Sequence, residues 1–399
     1  MNTKASNNIR PITPANRVSQ VKEYYFSKKL REIAQLNANG EDIISLGVGG
    51  PDRPPHKDVI STLCDEAQKA DTHGYQSYMG LPELRKAFSE WYQQNYGVKL
   101  DPNNEIQPLI GSKEGILHIS LAFLNPGDGV LVPNPGYPTY SSVSNLVGAE
   151  IYKYNLTEEN DWQPDFEELE KLPLEKIKLM WVNYPHMPTG KRASMELFER
   201  IIDFGRLHGI IIVNDNPYSF ILNDTPLSLL SVKGAKDIAI EMNSLSKSHN
   251  MAGWRIGMLA SNPTFVQWIL KVKSNIDSGQ FKPMMLAATK ALHCDKEWYA
   301  EVNAAYSRRR LIAEKIMDIL GCHYDTKQGG LFLWGRIPDS ESGSEALADK
   351  ILYGAKVFVT PGFIFGSNGE RYIRISLCAT EQRMKEAYNR IQKLVAEQK

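Results

Sequence analysis

The chain has 399 residues, 42% hydrophobic and 23% charged, with 46 basic residues balanced by 46 acidic ones. That length exceeds what one hydrophobic core usually supports and predicts two domains. The zero net charge removes the electrostatic reason to expect nucleic acid or an anionic membrane as partner. Cys64, Cys294, Cys322 and Cys378 form no C-x-x-C pair and lie near no zinc-finger histidine, so no metal is expected and free thiols fit a reducing compartment. No apolar run approaches the roughly 20 residues of a membrane helix. Residues 1–10 are polar and lack the apolar core of a signal peptide, so the expected location is cytoplasmic.

Along the chain, short apolar runs ending in Gly, Pro, Asn or Asp alternate with amphipathic helical stretches. Strands are expected at 107–110, 129–132, 150–154, 178–182, 210–214, 237–242 and 256–260. Runs such as Ile210-Ile211-Ile212-Val213 are apolar on both faces, as strands covered by helices must be. Strand and helix in alternation predict an α/β domain with a mainly parallel, seven-stranded sheet. Ligands in such sheets bind at the carboxyl ends of strands. Beyond residue 285 the pattern changes. One long helical region, 282–320, precedes strands at 330–335, 357–359 and 372–376 and a terminal helix at 381–398, which reads as a smaller α+β domain. The expected division is residues 1–45 as an N-terminal arm with part of the small domain, 46–285 as the large domain, and 286–399 as the small domain. The run Arg308-Arg309-Arg310 reads as a solvated helix face or an intramolecular pairing, the alternative being a contact to a substrate carboxylate.

Four segments carry chemistry. Gly111-Ser112-Lys113-Glu114-Gly115 joins a strand to a helix (116–124) and aims free backbone N–H groups at an anion. It lacks Walker spacing, and alone it could be a plain turn. Asn183-Tyr184-Pro185-His186-Met187-Pro188-Thr189-Gly190 follows a strand, with its turn fixed by prolines and a glycine. Asp215, in Asn214-Asp215-Asn216-Pro217-Tyr218, follows an apolar strand. Alone it could be a turn residue, but it could also hold a pyridine nitrogen protonated. An opposite charge about 4 Å away is worth roughly 4 kcal/mol at an effective dielectric of ~20, or about 3 pKa units. Lys247, in Ser244-Leu245-Ser246-Lys247, sits among small residues at a strand end, with Arg255 eight residues on. A lysine that attacks a carbonyl must lose its proton, through burial or a nearby cation. Arg255 could supply that cation and also grip a phosphate.

Together these segments resemble the fold-type I pyridoxal-phosphate (PLP) aminotransferases of class I/II, nearest the branch of LL-diaminopimelate, alanine and aspartate aminotransferases. Gly47-Val48-Gly49-Gly50-Pro51-Asp52, Gly80-Leu81-Pro82-Glu83-Leu84-Arg85, Asn134-Pro135-Gly136-Tyr137-Pro138 and Arg371-Tyr372-Ile373-Arg374-Ile375-Ser376 match that family's motifs. The resemblance implies that Lys247 holds PLP as a Schiff base and moves the proton, that Asp215 pairs with the ring nitrogen, and that Tyr218 bonds the ring hydroxyl. It implies that Tyr137 stacks on the ring, Asn183 lies beside it, and Ser112, Lys113, Ser244 and Arg255 hold the phosphate. Tyr75 would reach the cofactor of a partner subunit, in a homodimer with shared sites. Arg374 would clamp the substrate α-carboxylate, and backbone would approach that carboxylate at Gly49. The reaction implied moves an amino group from an L-amino acid to a 2-oxo acid, with 2-oxoglutarate as acceptor, in ping-pong fashion.

One position departs from the family. The motif carries Asn before Pro-Thr-Gly, where it donates to the ring oxygen; here that residue is Met187, which cannot donate, and His186 is the neighbouring alternative. The motifs bind cofactor rather than choose the reaction, so a β-elimination lyase is the first rival. A non-catalytic effector-binding protein is the second, but such regulators carry a DNA-binding domain that this chain does not show. No motif names a residue for the substrate side chain; Arg17 and Arg308 are the candidates.

Overall fold

The computed structural model describes residues 12–19 and 23–397. Residues 1–10, read above as polar, lie outside it, as does Gln398 at the end of the expected terminal helix. The strands in chain order are β1 Ile44–Ser45, β2 Ile106–Leu109, β3 Gly129–Asn134, β4 Glu150–Asn155, β5 Ile177–Val182, β6 Ile211–Asp215, β7 Ala239–Ser244, β8 Gly257–Ala260, β9 Phe332–Arg336, β10 Val357–Phe358, β11 Thr360–Pro361 and β12 Tyr372–Ser376.

The seven-stranded sheet runs β2-β8-β7-β6-β5-β3-β4. It is parallel except for β8, which is antiparallel to both β2 and β7. Side chains alternate between two cores, as a pleated strand with both faces covered requires. On β5, Met180 and Val182 join the layer built with Phe198 and Ile202, while Leu179 and Trp181 join the layer built with Ile116 and Ile119. Helix Met195–His208 shows how the sequence sets an element: Ser194 Oγ accepts from Leu197 N at 3.1 Å, and Gly209 ends it in the left-handed conformation.

A second body of structure is built on β11-β12-β9, with β1 pairing β10. Helices Lys296–Ile319, Ser344–Ala355 and Glu381–Ala396 contribute to its core around Trp334, Ile373 and Ile375. The N-terminal helix Tyr25–Ala38 packs there through Ile33 against Leu352 and Phe358, and Lys29 Nζ reaches Asp349 at 3.0 Å. The expected single helical region 282–320 is two helices, Lys282–Leu292 and Lys296–Ile319. The break has a local cause: Asp295 Oδ1 accepts from Trp298 N at 3.0 Å and starts a new helix. The arginine run is paired within the chain. Arg308 meets Glu381, Arg309 grips Asp52 with both terminal nitrogens at 2.7 and 2.8 Å, and Arg310 meets Glu314.

Gly257 opens β8 with backbone on every side. An added Cβ would lie 2.9 Å from Asn243 O, 3.0 Å from Ser112 N and 3.2 Å from the Gly111 carbonyl carbon. None of these is a side chain that can swing away. Gly257→Ala is expected to lower the denaturation midpoint of the cofactor-free protein by the equivalent of about 1–3 kcal/mol. An unchanged midpoint would mean that β8 can slide away from the Gly111–Ser112 turn.

Candidate active site

Strands β5, β6 and β7 are parallel neighbours and end at one edge of the sheet. That edge delivers Asn183, Asp215 and the segment from Ser244 to Lys247 into a cavity of about 500 Å³. The turn after β2 brings Ser112 and Lys113 to it, and β12 brings Arg374 from the smaller sheet. The expected residues Gly49, Ser112, Lys113, Tyr137, Asn183, Met187, Asp215, Tyr218, Ser244, Lys247, Arg255 and Arg374 all line this one cavity.

Asp215 is buried at its floor. Tyr140 donates to its Oδ2 at 3.0 Å, whereas Oδ1 is buried with no hydrogen-bond partner. Burial pushes this carboxyl up to about 6. Asn183 is committed to the frame: its amide donates to the Asp215 carbonyl, and its Oδ1 accepts from Met187 N at 2.8 Å. The Lys247 ammonium donates to Gly49 O at 2.6 Å. Burial lowers its pKa, and the charges of Arg374 and Arg255 push the same way. A lysine so placed gives up its proton more readily than one on the surface. Burial likewise raises the Tyr218 phenol and keeps it a donor.

At one end Ser112 opens the helix Ser112–Phe123, so its first N–H groups are free for an anion. Ser244, Ser246 and Arg255 face the same end. Behind them lies a network absent from the sequence reading. Glu114 Oε2 accepts from Ile110 N at 2.6 Å, its Oε1 meets His118 Nε2 at 2.5 Å, and Lys273 bridges to Asp277 at 2.5 Å. Glu114, His118 and Asp277 form a group that could ligate a metal, but the Lys273 ammonium already pairs with that acidic cluster.

At the other end Arg374 is buried without a carboxylate partner among the described residues. Its Nη2 donates to Gly47 O at 2.9 Å, its Nη1 to Met187 Sδ at 3.2 Å, and Nε has no partner. The guanidinium lies over the rings of Phe332 at 3.8 Å and Phe365 at 4.6 Å. Burial lowers its pKa to about 10.

Three expectations need correction or placement. His186 does not replace the missing Asn: its Nδ1 bonds Thr189 Oγ1 at 2.8 Å, and it does not line the cavity. Arg17 and Arg308 are not in the cavity wall either. Tyr75 is 93% exposed and does not line this chain's own cavity. Sequence reasoning missed Tyr140, whose signal was its place two residues after Pro138, and Tyr24, Phe26, Leu30 and Ser246. The residues fit PLP. An orphaned carboxylate oxygen waits at the floor, a helix start and an arginine stand at one end, and a lysine of lowered pKa lies between.

Comparison with known proteins gives a consistent picture. The family model described as aminotransferase class I and II matches residues 41–391. The LL-diaminopimelate aminotransferase of Dehalococcoides mccartyi is 40% identical over 372 residues, spanning 93% of this chain and 96% of the relative. That of Aquifex aeolicus is 38% identical over 382 residues, spanning 95% and 98%. Among solved structures, substrate-bound BacF from Bacillus subtilis superposes with a TM-score of 0.91 at 34% identity, covering 96% of this chain and 98% of that one. The aspartate aminotransferase of Thermotoga maritima superposes with a TM-score of 0.88 at 26% identity, covering 96% and 100%.

The orphaned carboxylate has a measurable consequence. The folded pKa of Asp215, about 6, lies above the 3.8 of an ordinary aspartate. The fold therefore prefers the protonated form. The cost of ionisation is absent below the unfolded pKa, grows through the interval and is complete above the folded pKa. Asp215→Asn removes that cost while keeping an acceptor for Tyr140. The cofactor-free variant is expected to be more stable than wild type at pH 7.5, by at most about 3 kcal/mol, and equal to it below about pH 4. Denaturation curves at the two pH values check this, and a pH-independent difference would refute it.

Proposed function

This chain belongs to the aminotransferase class I and II family and is a PLP-dependent aminotransferase; from that premise we propose that it moves the amino group of an L-amino acid to 2-oxoglutarate in two successive half-reactions. The observation that carries the reading is the meeting in one cavity of Lys247, with its lowered pKa, and the unpartnered Asp215 oxygen. When bound, PLP supplies an aldehyde that takes the amino group and a ring that accepts the electrons left by the α-proton.

The chain's own residues do the rest. Asp215 holds a proton on the ring nitrogen, and Tyr218 donates to the ring oxygen. Tyr137 covers a ring face. Ser112, Lys113, Ser244 and Arg255 hold the phosphate. Arg374 takes the α-carboxylate through its fork and so aims the α-hydrogen at Lys247. Lys247 Nζ would take that proton from the α-carbon and hold it for return. In the second half-reaction the same groups act in reverse order.

A homodimer with shared sites is part of this proposal. Tyr75, Tyr78, Ile276 and Phe281 are exposed, and His73 packs on Phe281 with ring centroids 5.8 Å apart. An apolar patch of this kind supports a subunit contact that would carry Tyr75 into a partner's site. Among the described residues no helix is long and apolar enough to cross a membrane, and all four cysteines are free thiols. Those thiols support a cytoplasmic location.

The test is an absorbance spectrum of the PLP-loaded protein before and after single amino acids are added. A donor should bleach the visible band in the wild type but not in Lys247→Ala. Pyruvate and ammonia released without an acceptor acid would instead mark a lyase. Met187→Asn is expected to lower the pKa of the visible transition by about 1–2 units, because it adds a donor to a charged oxygen. A spectral titration that does not move would refute that role for position 187.

A further inference from the structure

Resting on the reading of this cavity as an aminotransferase site, we propose that its amino donor carries an uncharged, mainly apolar side chain and no second ammonium group. With Asp215 at the floor and Arg374 at the α-carboxylate end, the wall left for the side chain comes from the N-terminal helix and the turn after β1. Phe26 lies 5.9 Å from the Arg374 guanidinium, ring centroid to Cζ. Leu30 stands one helical turn beyond Phe26, on the same face. Val48 adjoins Gly49, whose carbonyl meets Lys247. Leu30 and Val48 stay 38% and 44% exposed although they line the cavity. This wall is apolar and open, which suits a hydrocarbon or aromatic side chain.

The charges point the same way. Lys113, Lys247, Arg255 and Arg374 line the cavity, against Asp215 as its one acidic lining residue. Nearby carboxylates are already engaged: Glu23 with Arg31, Glu32 with Lys29 at 3.0 Å, and Asp52 with Arg309 at 2.7 Å. The loop that a partner would lend, Tyr75-Gln76-Ser77-Tyr78-Met79, contains no acidic residue. A side-chain ammonium would therefore lose water and gain no counter-ion. A side-chain carboxylate meets no other carboxylate on this wall, which keeps 2-oxoglutarate compatible as acceptor. Diaminopimelate, for which those relatives are named, carries the second ammonium that this wall does not accommodate.

The experiment compares kcat/KM of the PLP-loaded protein for L-phenylalanine, L-leucine and L-methionine with that for LL-diaminopimelate and L-lysine, 2-oxoglutarate being the acceptor. At least one apolar donor should exceed both diamino acids by about a hundredfold or more. Equal or better turnover of LL-diaminopimelate or lysine would overturn the proposal while leaving the aminotransferase reading intact. No bleaching by any donor would overturn that reading, and this proposal with it. Leu30→Glu places a hydrated carboxylate on the wall and should raise the LL-diaminopimelate to phenylalanine ratio by about tenfold. A ratio that stays fixed in that variant would overturn the assignment of this wall to the side chain.

Discussion

The parallel ladder between β6 and β7 sets the distances on which the chemistry depends. Asp215 pairs in register with Met242, and Asn216 N donates to Met242 O at 2.9 Å. Ser244, two residues on, turns the chain into the short helix that carries Lys247, its Oγ accepting from Ser246 N at 3.1 Å. Carboxylate and lysine are thus held by main-chain hydrogen bonds in the most buried part of the sheet. Side chains on loops would not keep that spacing to the fraction of an ångström that proton transfer needs. The neighbouring ladder adds Asn183, whose amide spans from β5 to the Asp215 carbonyl.

The same burial leaves ionisable groups incompletely paired. Among the described residues, Asp215 lacks a partner on one oxygen, Lys247 has only a carbonyl, and Arg374 has a carbonyl, a thioether and aromatic faces. Each costs folding free energy, and each would gain from the complementary charge of a cofactor or substrate. The fold can carry that cost because the cores on both sides of the sheet are large and continuous. Ligand charges then meet groups already oriented and already out of water, the condition under which electrostatic stabilisation is strongest.

Most of this was legible in the sequence because the signals are local. Apolar runs ending in Asn, Asp or Ser located the strands to within a residue or two, and strand ends gave Asn183, Asp215 and Ser244. What was not legible depends on non-local placement. Tyr140 reaches Asp215 across 75 residues, and Phe26 reaches Arg374 across the whole chain. The antiparallel course of β8 leaves no periodic trace, because a strand buried on both faces reads the same in either direction. The break before Lys296 was hidden because the amphipathic pattern runs through it. Only the capping aspartate marks it, and aspartate is common on helix surfaces.

Met187 shows how the departure from the family motif and the substrate clamp are linked. In the family pattern an amide at this position would serve the ring oxygen. Here the thioether faces Arg374 Nη1 at 3.2 Å. Sulfur is a weak acceptor, so this contact holds the guanidinium in place without competing strongly for it. A carboxylate displaces it at little cost and gains the stronger, charge-assisted pair. The aromatic faces of Phe332 and Phe365 remain beneath the fork throughout. Losing the amide therefore exchanges a donor to the cofactor for a yielding contact to the clamp. In the proposed reading the ring oxygen would be left with Tyr218, a phenol that burial keeps protonated and able to donate.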